Sequence, residues 1–549
     1  MACRGACLAT ASLLIVVSLC AGMTACTSED AALQESAAPA PLEPLERAPT
    51  TQAAAEKGAD EVMERPSLSP TGPISLTVEG AIVLSLENNE ELRVQRETPQ
   101  IRSTAEDVER AAFDPVLSGE FNIGRTKSLN FPLQIEPGLQ QTDVTSYAGG
   151  FSLEELLPTG TKFSLDGSTS YQNNSLFPSN LAGTRAGASV TQSLLRGAGV
   201  AVNLVNLHQA RLDTQISEFE FRGFAEALVA QVEETYWDYA LAIRKVEIFE
   251  SSVKVAEQQL DETNTKIQVG KLPETERAAA QAEVAKRRED LIAARSDRVK
   301  TRLKLLRLLN PDGENPWSRE VAVLNKPFVP TAPLEAVENH VQVALRLRPD
   351  LNEARLGVKR ADLDIVKTKN GVLPKLDFFV TLGTTGYATE FGNTFHNIDG
   401  KNYDISAGAK FEYALLTRAE RSQERRAVFS EQQALRAVDN LAQLVEVDVR
   451  TAYVDVEKAK EQITATTATR ELRQEALRAE REKFDVGKST SFLVAQAQRD
   501  VIASQIDEVE AVVNHLKALV ELYRLEGSLL ERRGVSTPGL GTVALPRSR

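Results

Sequence analysis

Hydrophobic residues recur every seven positions in the stretch that begins at residue 200. Between residues 200 and 269 the chain has no proline and a single glycine, Gly223, so one uninterrupted helix is the simplest prediction. The main series and its companion consist of Ala225, Val232, Tyr239, Val246, Val253, Leu260 and Ile267, and of Phe221, Leu228, Ala242, Phe249 and Ala256. Such a stripe is typical of a coiled coil. Roughly seventy residues at 1.5 Å each predict a helix about 100 Å long.

The same stripe returns 217 residues later, interrupted by Arg470. Its members are Ala442, Val449, Val456, Ile463, Leu477 and Phe484. Both long helices end in the tripeptide Val-Gly-Lys, at Val269, Gly270 and Lys271 and at Val486, Gly487 and Lys488. A further helical stretch follows each tripeptide, 273–309 in the first copy and 489–526 in the second. A duplication explains this agreement, and it predicts two helical hairpins with the tripeptides at their tips.

The tripeptides have a purely structural explanation as well as a functional one. Gly270 and Gly487 permit the left-handed backbone that closes a helix, and Pro273 suits a first helical turn. Small residues follow both turns, at Ala278 and Ala280 and at Ala495 and Ala497. They would let a partner helix approach closely.

A second spacing, 259 residues, relates the segments that precede the hairpins. It connects Leu92 with Leu351, Pro115 with Pro374 and Gly124 with Gly383, so an insertion of unequal length lies between the two regions. A helix is predicted over 76–113, interrupted near Asn88 and Asn89 and at Pro99, and its counterparts over 333–347 and 351–371. The helix over 76–113 should pack along the long helix that begins at residue 200. There it should lie end to end with the returning helix over 273–309, so that the two together cover the long helix. Repeat 1 then spans 74–325, and repeat 2 spans 326–532.

Apolar and polar residues alternate in several stretches that precede the long helices, which predicts β-strands. The predicted strands, each about ten residues long, lie near 117–123, 147–153, 163–171 and 186–194 in repeat 1 and near 376–387 and 403–413 in repeat 2. A tight turn at 157–160 and long loops at 128–145 and 173–184 suit an outer-membrane barrel. A soluble sandwich would alternate equally well, so the strands alone leave both architectures open.

The termini are predicted to lie outside both repeats. Residues 1–25 have the charged start, apolar core and small-residue end of a signal peptide. Met23 to Cys26 resembles a lipobox, which would make Cys26 a lipidation site; ordinary cleavage near Ala25 is the alternative. Residues 26–73 form an Ala- and Pro-rich disordered tether, and 533–549 form a flexible C-terminal tail.

Composition argues against several kinds of chemistry. The net charge of −14 disfavours a nucleic-acid partner. Three of the four cysteines leave with the signal peptide, and the four histidines are not spaced as metal ligands. We therefore expect no enzyme activity, no cofactor and no metal.

Several motifs in a fixed order resemble the TolC family of outer-membrane efflux proteins. They are 74–81 (ISLTVEGA), 88–92 (NNEEL), 191–197 (TQSLLRG) with Asn203, the two Val-Gly-Lys tips, and 303–310 (LKLLRLLN). The resemblance implies a homotrimer that forms one β-barrel in outer-membrane lipid and an α-helical tunnel through the periplasm. It also implies an inner-membrane transporter and a periplasmic adaptor protein as partners, in efflux or type I secretion.

The resemblance places the adaptor-docking residues at the tips, on Val269, Gly270, Lys271, Val486, Gly487 and Lys488. Acidic residues close to the tips could ring the tunnel end and repel anions: Asp261, Glu262, Glu274, Glu276, Glu482 and Asp485. The chain departs from the typical family pattern of two strands per repeat, because repeat 1 has an extra pair. The alternative function is a secreted, lipid-anchored coiled-coil scaffold with a β-sandwich head and no pore.

Overall fold

The computed structural model describes residues 73–130, 140–174, 180–311, 315–329 and 333–535. All of them belong to the compact unit that runs from Arg65 to Arg549. The predicted signal peptide, the lipobox with Cys26 and almost all of the tether lie outside the described residues. So does the C-terminal tail from residue 536.

The secondary structure of the described residues is mainly helical, with one large sheet. The strands are β1 (Ile74–Leu76), β2 (Val116–Asn130), β3 (Gln140–Leu156), β4 (Thr161–Asn174), β5 (Leu181–Ser193), β6 (Val321–Val323), β7 (Lys375–Ala388) and β8 (Tyr403–Glu412). The α-helices are α1 (Val78–Asn88), α2 (Glu90–Arg110), α3 (Val200–Asn203), α4 (Val205–Gln268), α5 (Thr275–Leu309), α6 (Val337–Leu347), α7 (Pro349–Gly371), α8 (Phe391–His396), α9 (Arg418–Asp485), α10 (Ser491–Leu525) and α11 (Leu529–Arg532).

The helix predicted over 76–113 is divided once. Asn89 ends α1, and its side chain accepts a hydrogen bond of 3.0 Å from the backbone N–H of Leu92 and so begins α2. The break near Asn89 is thus confirmed. The predicted interruption at Pro99 is wrong, because α2 continues through this residue. Most neighbouring side chains are exposed, so water can reach the carbonyl that loses its helical donor.

The two long helices and their hairpins match the prediction from the heptad stripe, except that the first helix is divided at Leu204, between α3 and α4. Helices α4 and α9 contain 64 and 68 residues, and α5 and α10 return along them. Near the middle of both long helices the stripe is fully buried, as at Val232 and Val449. Arg470, which interrupts the second stripe, forms an ion pair of 2.8 Å with Glu508 of α10.

The end-to-end stacking expected for the first repeat is also present. Helix α2 packs against α4, and it meets the C-terminal end of α5 where the side chain of Asn89 donates to the carbonyl of Leu308 (3.0 Å). The side chain of Asn310 returns a hydrogen bond to the carbonyl of Asn88, also 3.0 Å. In repeat 2, α7 packs against α9 and additionally against α4. The two long helices therefore have partners along most of their length.

Six strands form one antiparallel sheet in the order β2-β3-β4-β5-β7-β8. All six predicted strands are confirmed, including the extra pair in repeat 1, but they contain 10 to 17 residues rather than about ten. The turn at 157–160 closes with a hydrogen bond of 2.9 Å from Gly160 N–H to the carbonyl of Leu157. Within the described residues, β2 and β8 have no strand beyond them and are the edges of the sheet.

A small parallel pair of strands, not predicted from the sequence, anchors the core. Strand β1 pairs with β6, so the first residues of repeat 1 meet its last. The hydroxyl of Tyr236 donates to the carbonyl of Leu76 (3.0 Å), and the hydroxyl of Tyr239 donates to that of Val321 (3.1 Å). Burial raises the pKa of Tyr236 to about 12, so this hydroxyl keeps its proton.

The C-terminal segment is attached more firmly than predicted. Arg533, assigned above to the flexible tail, donates to both carboxylate oxygens of the buried Glu233 at 2.6 and 2.7 Å. Arg222 and Glu226 form a second buried pair on α4, 3.3 Å apart. Arg533 therefore belongs to the packed fold and not to a flexible tail.

Candidate functional site

The two helical tips have the same backbone geometry. Gly270 and Gly487 adopt φ values of 73° and 75°, which confirms the left-handed conformation predicted for them. In each tip the lysine N–H bonds to a carbonyl five residues earlier, Lys271 to Lys266 and Lys488 to Lys483, both at 2.8 Å. This is the Schellman arrangement that closes a helix.

The tip residues project into open space. Val269 is 62% exposed and Val486 is 69% exposed, although valine is an apolar residue. A Cβ atom added to Gly270 or Gly487 would meet no heavy atom of the described residues within 4 Å. The turns therefore need the glycines for their backbone angle only, and the described part of the chain leaves both valines uncovered.

The two tips lie side by side and contact each other. Lys266 of the first hairpin forms an ion pair of 3.3 Å with Asp485 of the second, and its ammonium group lies 4.6 Å from the centre of the Phe484 ring. Further along, the side chain of Gln498 donates to Gln259 (2.7 Å). All six residues proposed for docking are consequently at one end of the fold.

The acidic residues near the tips differ in exposure and in their partners. Glu276 is half-buried, whereas the other five are exposed. Glu276 accepts a hydrogen bond from Ser491. Ion pairs of 3.3–3.4 Å join Glu274 to Arg277, Glu482 to Arg478 and Asp485 to Lys266. Their role at a tunnel end stays a prediction.

Glu480 is another acidic group close to the second tip. The hydroxyl of Ser489 donates to it, and the ammonium group of Lys483 lies 3.1 Å away. These contacts lower the pKa of Glu480. The carboxylate therefore remains charged and holds the ends of the turn together.

A groove of about 330 Å³ separates the two hairpins just inside the tips. Small side chains line much of it: Ala256, Ala279, Ala280, Ala282 and Ala495. Lys286 and Arg499 supply positive charge beside Glu283, and Phe492 adds an exposed aromatic ring. Of the small residues singled out in the sequence, Ala280 and Ala495 line this groove, and Ala278 and Ala497 do not.

The sheet has one apolar face and one polar face. Phe378 and Val380 point to the apolar side, while Asp377 and Thr381 point to the polar side, as the pairing register requires. Large side chains on the apolar side remain exposed, among them Phe121 at 73%. The members of that face with more than a third of their surface exposed include Leu117, Phe121, Ile123, Tyr147, Phe151, Leu165, Phe378, Tyr403, Ile405 and Phe411.

The polar face carries a cross-strand ion network. The guanidinium of Arg185 on β5 reaches over β7 to both carboxylate oxygens of Asp404 on β8, and it lies 4.0 Å from Asp166 on β4. Gly383 lies beneath this bridge, where a Cβ would collide with the guanidinium. This network spans four strands and was not apparent from the sequence, because Arg185 and Asp404 are 219 residues apart.

Helix α8 lies on the apolar face of the sheet, against β5 and β7. The hydroxyl of its buried Thr394 is 2.6 Å from that of Thr184, and the carbonyl of Thr394 occupies the space beside Gly386. Phe391 and Phe395 stack edge to face and stay half exposed. This helix was not predicted from the sequence; Gly386, which leaves room for the Thr394 carbonyl, is the local residue that marks it.

Exposed heptad stripes run along α2, α5 and α9, where the described part of the chain leaves them uncovered. On α2 the stripe is Val94, Ile101 and Val108, with exposures of 66, 67 and 69%. On α5 it includes Ile292 and Val299, and on α9 it includes Val447 and Val454. Exposed valine and isoleucine at a seven-residue spacing is the pattern of a coiled-coil surface that packs against a partner.

No helix among the described residues is both long enough and apolar enough to pass through a bilayer. The candidate functional surfaces are the two exposed tips, the alanine-lined groove and the sheet with its apolar and polar faces.

A family model described as outer membrane efflux protein matches residues 156–311 and 340–528. The matched ranges contain both helical hairpins with their tips. They also contain β4, β5, β7 and β8. A search among curated proteins gives no significant match.

Several solved outer-membrane channels share the fold. The structure of CusC aligns over 84% of this chain and 96% of its own, with 16% identity and a TM-score of 0.60. The CmeC outer membrane channel of Campylobacter jejuni aligns over 82% and 86%, with 14% identity and a TM-score of 0.59. The open MtrE outer membrane channel of Neisseria gonorrhoeae aligns over 82% and 89%, with 17% identity and a TM-score of 0.57.

The family match covers more than half of the chain, and the solved channels align over more than four fifths of it. The resemblance seen in the sequence motifs is thereby confirmed. The chain belongs to the outer membrane efflux protein family, which supplies the outer-membrane channels of efflux systems.

Proposed function

We propose that three copies of this chain form an outer-membrane channel that passively conducts cargo received from an inner-membrane transporter and a periplasmic adaptor, in efflux or in type I secretion. The observation that carries the proposal is the two-faced sheet with two free edges among the described residues. A sheet with one exposed apolar face and one polar face is suited to separate lipid from water. Six strands are too few to close a barrel, for which eight is the minimum, so closure requires further copies.

The geometry of the edges supports closure between copies. Strands β2 and β8 run in opposite directions, as the alternating antiparallel order requires. In a ring of copies, β8 of one protomer can therefore pair antiparallel with β2 of the next. This pairing would satisfy the backbone groups that an edge strand leaves open.

The exposed heptad stripes support the same assembly in the helical part. The stripe on α2 carries three large apolar residues, Val94, Ile101 and Val108, on a helix that otherwise exposes charge. Burying each of them against a neighbour would gain about 1.5–3 kcal/mol. A ring of protomers would cover these stripes as it closes the sheet.

The tips are the proposed docking surface for the adaptor. Exposed Val269 and Val486, the glycine turns and the alanine-lined groove together offer an apolar concave surface for a helical hairpin. Each protomer has two inequivalent tips, so a trimer would present six. The exposed acids Asp261, Glu262, Glu274 and Glu482 would ring the tunnel end and disfavour anions.

Lipid on Cys26 would add a second anchor in the outer membrane. Acyl chains hold a protein less strongly than protein segments embedded in the bilayer, so an assembled barrel would remain the stronger anchor. The lipid-anchored scaffold without a pore remains the second candidate, because the six described strands of a single chain do not close on themselves.

Extraction without detergent discriminates between the two candidates. A Cys26→Ser variant, with its signal peptide adjusted for ordinary cleavage, is fractionated with an alkaline carbonate wash. A channel should stay in the outer-membrane fraction, because its barrel is embedded in lipid. A scaffold should appear in the wash once its lipid is missing, and that result would refute the channel.

A further inference from the structure

The extra strands of repeat 1 are an inserted hairpin with defined bounds. The 259-residue spacing aligns β2 with β7, and the 217-residue spacing aligns β5 with β8. The two spacings differ by 42 residues. The strands without a counterpart in the described part of repeat 2 are therefore β3 and β4.

The inserted hairpin is a full part of the sheet. Strand β3 pairs with β2 from end to end, and β4 pairs with β5 over twelve consecutive residues. Its apolar face continues that of its neighbours: Leu153 lies between Leu117 and Leu165, and the ring of Phe151 covers Gly167. Tyr147 and Tyr171 add an aromatic pair with centroids 6.1 Å apart. The hairpin thus lengthens the wall and is not a surface loop.

We propose that this hairpin widens the passage through the outer membrane, so that the channel exports polymer-sized cargo as well as small molecules. The inference rests on the proposed trimer, in which six strands per chain give eighteen. Strands about 4.8 Å apart and tilted by about 40° then enclose a ring about 36 Å in diameter. Twelve strands, as expected from two per repeat, would give about 24 Å by the same reasoning.

The helical part sets a width that the wider barrel matches. Each chain contributes four helices at one level, namely α4 and α9 with a partner beside each. Twelve helices spaced 8–10 Å apart form a ring of about 31–38 Å. An eighteen-stranded barrel has about the same diameter as this ring of helices. A twelve-stranded barrel would be narrower than the ring by about 10 Å in diameter.

Small hydroxyl and glycine residues alternate with charged ones such as Lys162 and Arg185 on the polar face, which limits how far the wall extends into the interior. In the inserted hairpin and its neighbours the small residues include Ser118, Ser152, Ser164, Ser168, Gly187 and Ser189. Side chains occupy about 5 Å on one face of a sheet, which leaves about 26 Å clear in the wider barrel and about 14 Å in the narrower one. A helical hairpin, about 20 Å across, passes only the wider one.

Polymer exclusion in planar lipid bilayers tests the proposal. The purified protein is compared with a variant that lacks residues 133–174, the 42 residues of the insertion, so that β2 leads directly to an antiparallel β5. Neutral polyethylene glycols of increasing size are added on the barrel side, and a polymer that enters the barrel lowers its conductance. Polymers about 20 Å wide should enter the wild-type barrel and be excluded from the shortened one.

Two outcomes would overturn the inference. One is the same size limit in both proteins. The other, which needs no folded variant, is a wild-type barrel only about 24 Å across in electron-microscopic cross-sections, the width of twelve strands. Failure of the wild-type chain to form any conducting pore would instead refute the channel function itself, and the width inference with it.

Discussion

Replacing Gly487 by glutamate should separate adaptor docking from assembly. Gly487 closes the second tip at φ 75°, and a Cβ at this position would meet no heavy atom of the described residues within 4 Å. The local cost is therefore confined to the left-handed backbone angle, about 1–2 kcal/mol. A helix of 68 residues packed along α10 does not unfold for that amount.

The cost to docking should be much larger. A carboxylate held against an apolar partner without a counter-charge loses its hydration, and such a loss amounts to several kcal/mol. At about 1.4 kcal/mol per tenfold change, a loss of about 3 kcal/mol weakens the contact more than a hundredfold. We therefore expect Gly487→Glu to abolish adaptor cross-linking and export while the yield and heat resistance of the assembled protein stay near wild type.

Gly400→Glu is the matched control. Gly400 also has a positive φ, 77°, and open space around a built Cβ, but it lies in the loop between α8 and β8, at the opposite end of the fold. The Gly400→Glu substitution should introduce the same charge and the same backbone cost without changing the tips. Cross-linking and export are measured for both variants beside heat resistance of the oligomer. Normal export by Gly487→Glu, or equal loss in both variants, would show that the tips are plain turns.

Three further predictions concern the sheet, the N-terminus and the buried carboxylates. Val380→Arg on the apolar face should cost about 2–4 kcal/mol in each chain and lower the yield of outer-membrane protein, whereas Thr381→Arg on the polar face should be tolerated; equal tolerance would argue against a membrane barrel. Mass spectrometry should find lipid on Cys26 of the mature protein and none on Cys26→Ser, and an unmodified wild-type residue would disprove the lipobox. Burial raises the pKa of Glu226 from 4.5 to about 7, so the stability that its protonated form contributes is complete below about pH 4.5 and is lost as the pH rises through 7. Glu226→Gln should remove about 2–4 kcal/mol of this pH dependence from denaturation curves between about pH 4.5 and 8, and an unchanged slope would show that Glu226 is not its source.

Local signals in the sequence were sufficient for the elements that repeat or alternate. The heptad stripe identifies α4 and α9 and ends within a few residues of their C-terminal ends, because every seventh side chain must face the same partner. The positive φ of Gly270 and Gly487 follows from their place at the end of a helix. The two spacings of 217 and 259 residues are enough to indicate that repeat 1 contains an insertion, since an insertion changes the spacing between equivalent residues on its two sides.

Features that depend on distant contacts could not be predicted in this way. Strand β1 is only three residues long and exists because β6, 247 positions later, pairs with it. Glu226 and Glu233 have the heptad spacing of a solvated face, yet both are buried against the C-terminal segment. Helix α2 continues through Pro99, although a proline usually ends a helix, because packing against α4 supports it.

Which face of the sheet is the apolar one was also undecided in the sequence. Phe378 and Phe379 are adjacent and point to opposite sides, so aromatic content alone does not select one. The neighbouring strands make the difference: Phe378 shares its face with Val380 and Ile405, whereas Phe379 packs over Gly408 among serines and threonines. The register of six strands supplies the information that one strand lacks.

Imaging of the purified particle in lipid nanodiscs by electron microscopy tests the central claim most directly. We expect threefold symmetry, with a closed barrel in the lipid that continues into a ring of helices ending in six tips. A monomer, or an oligomer whose sheets pack face to face outside the lipid, would contradict it.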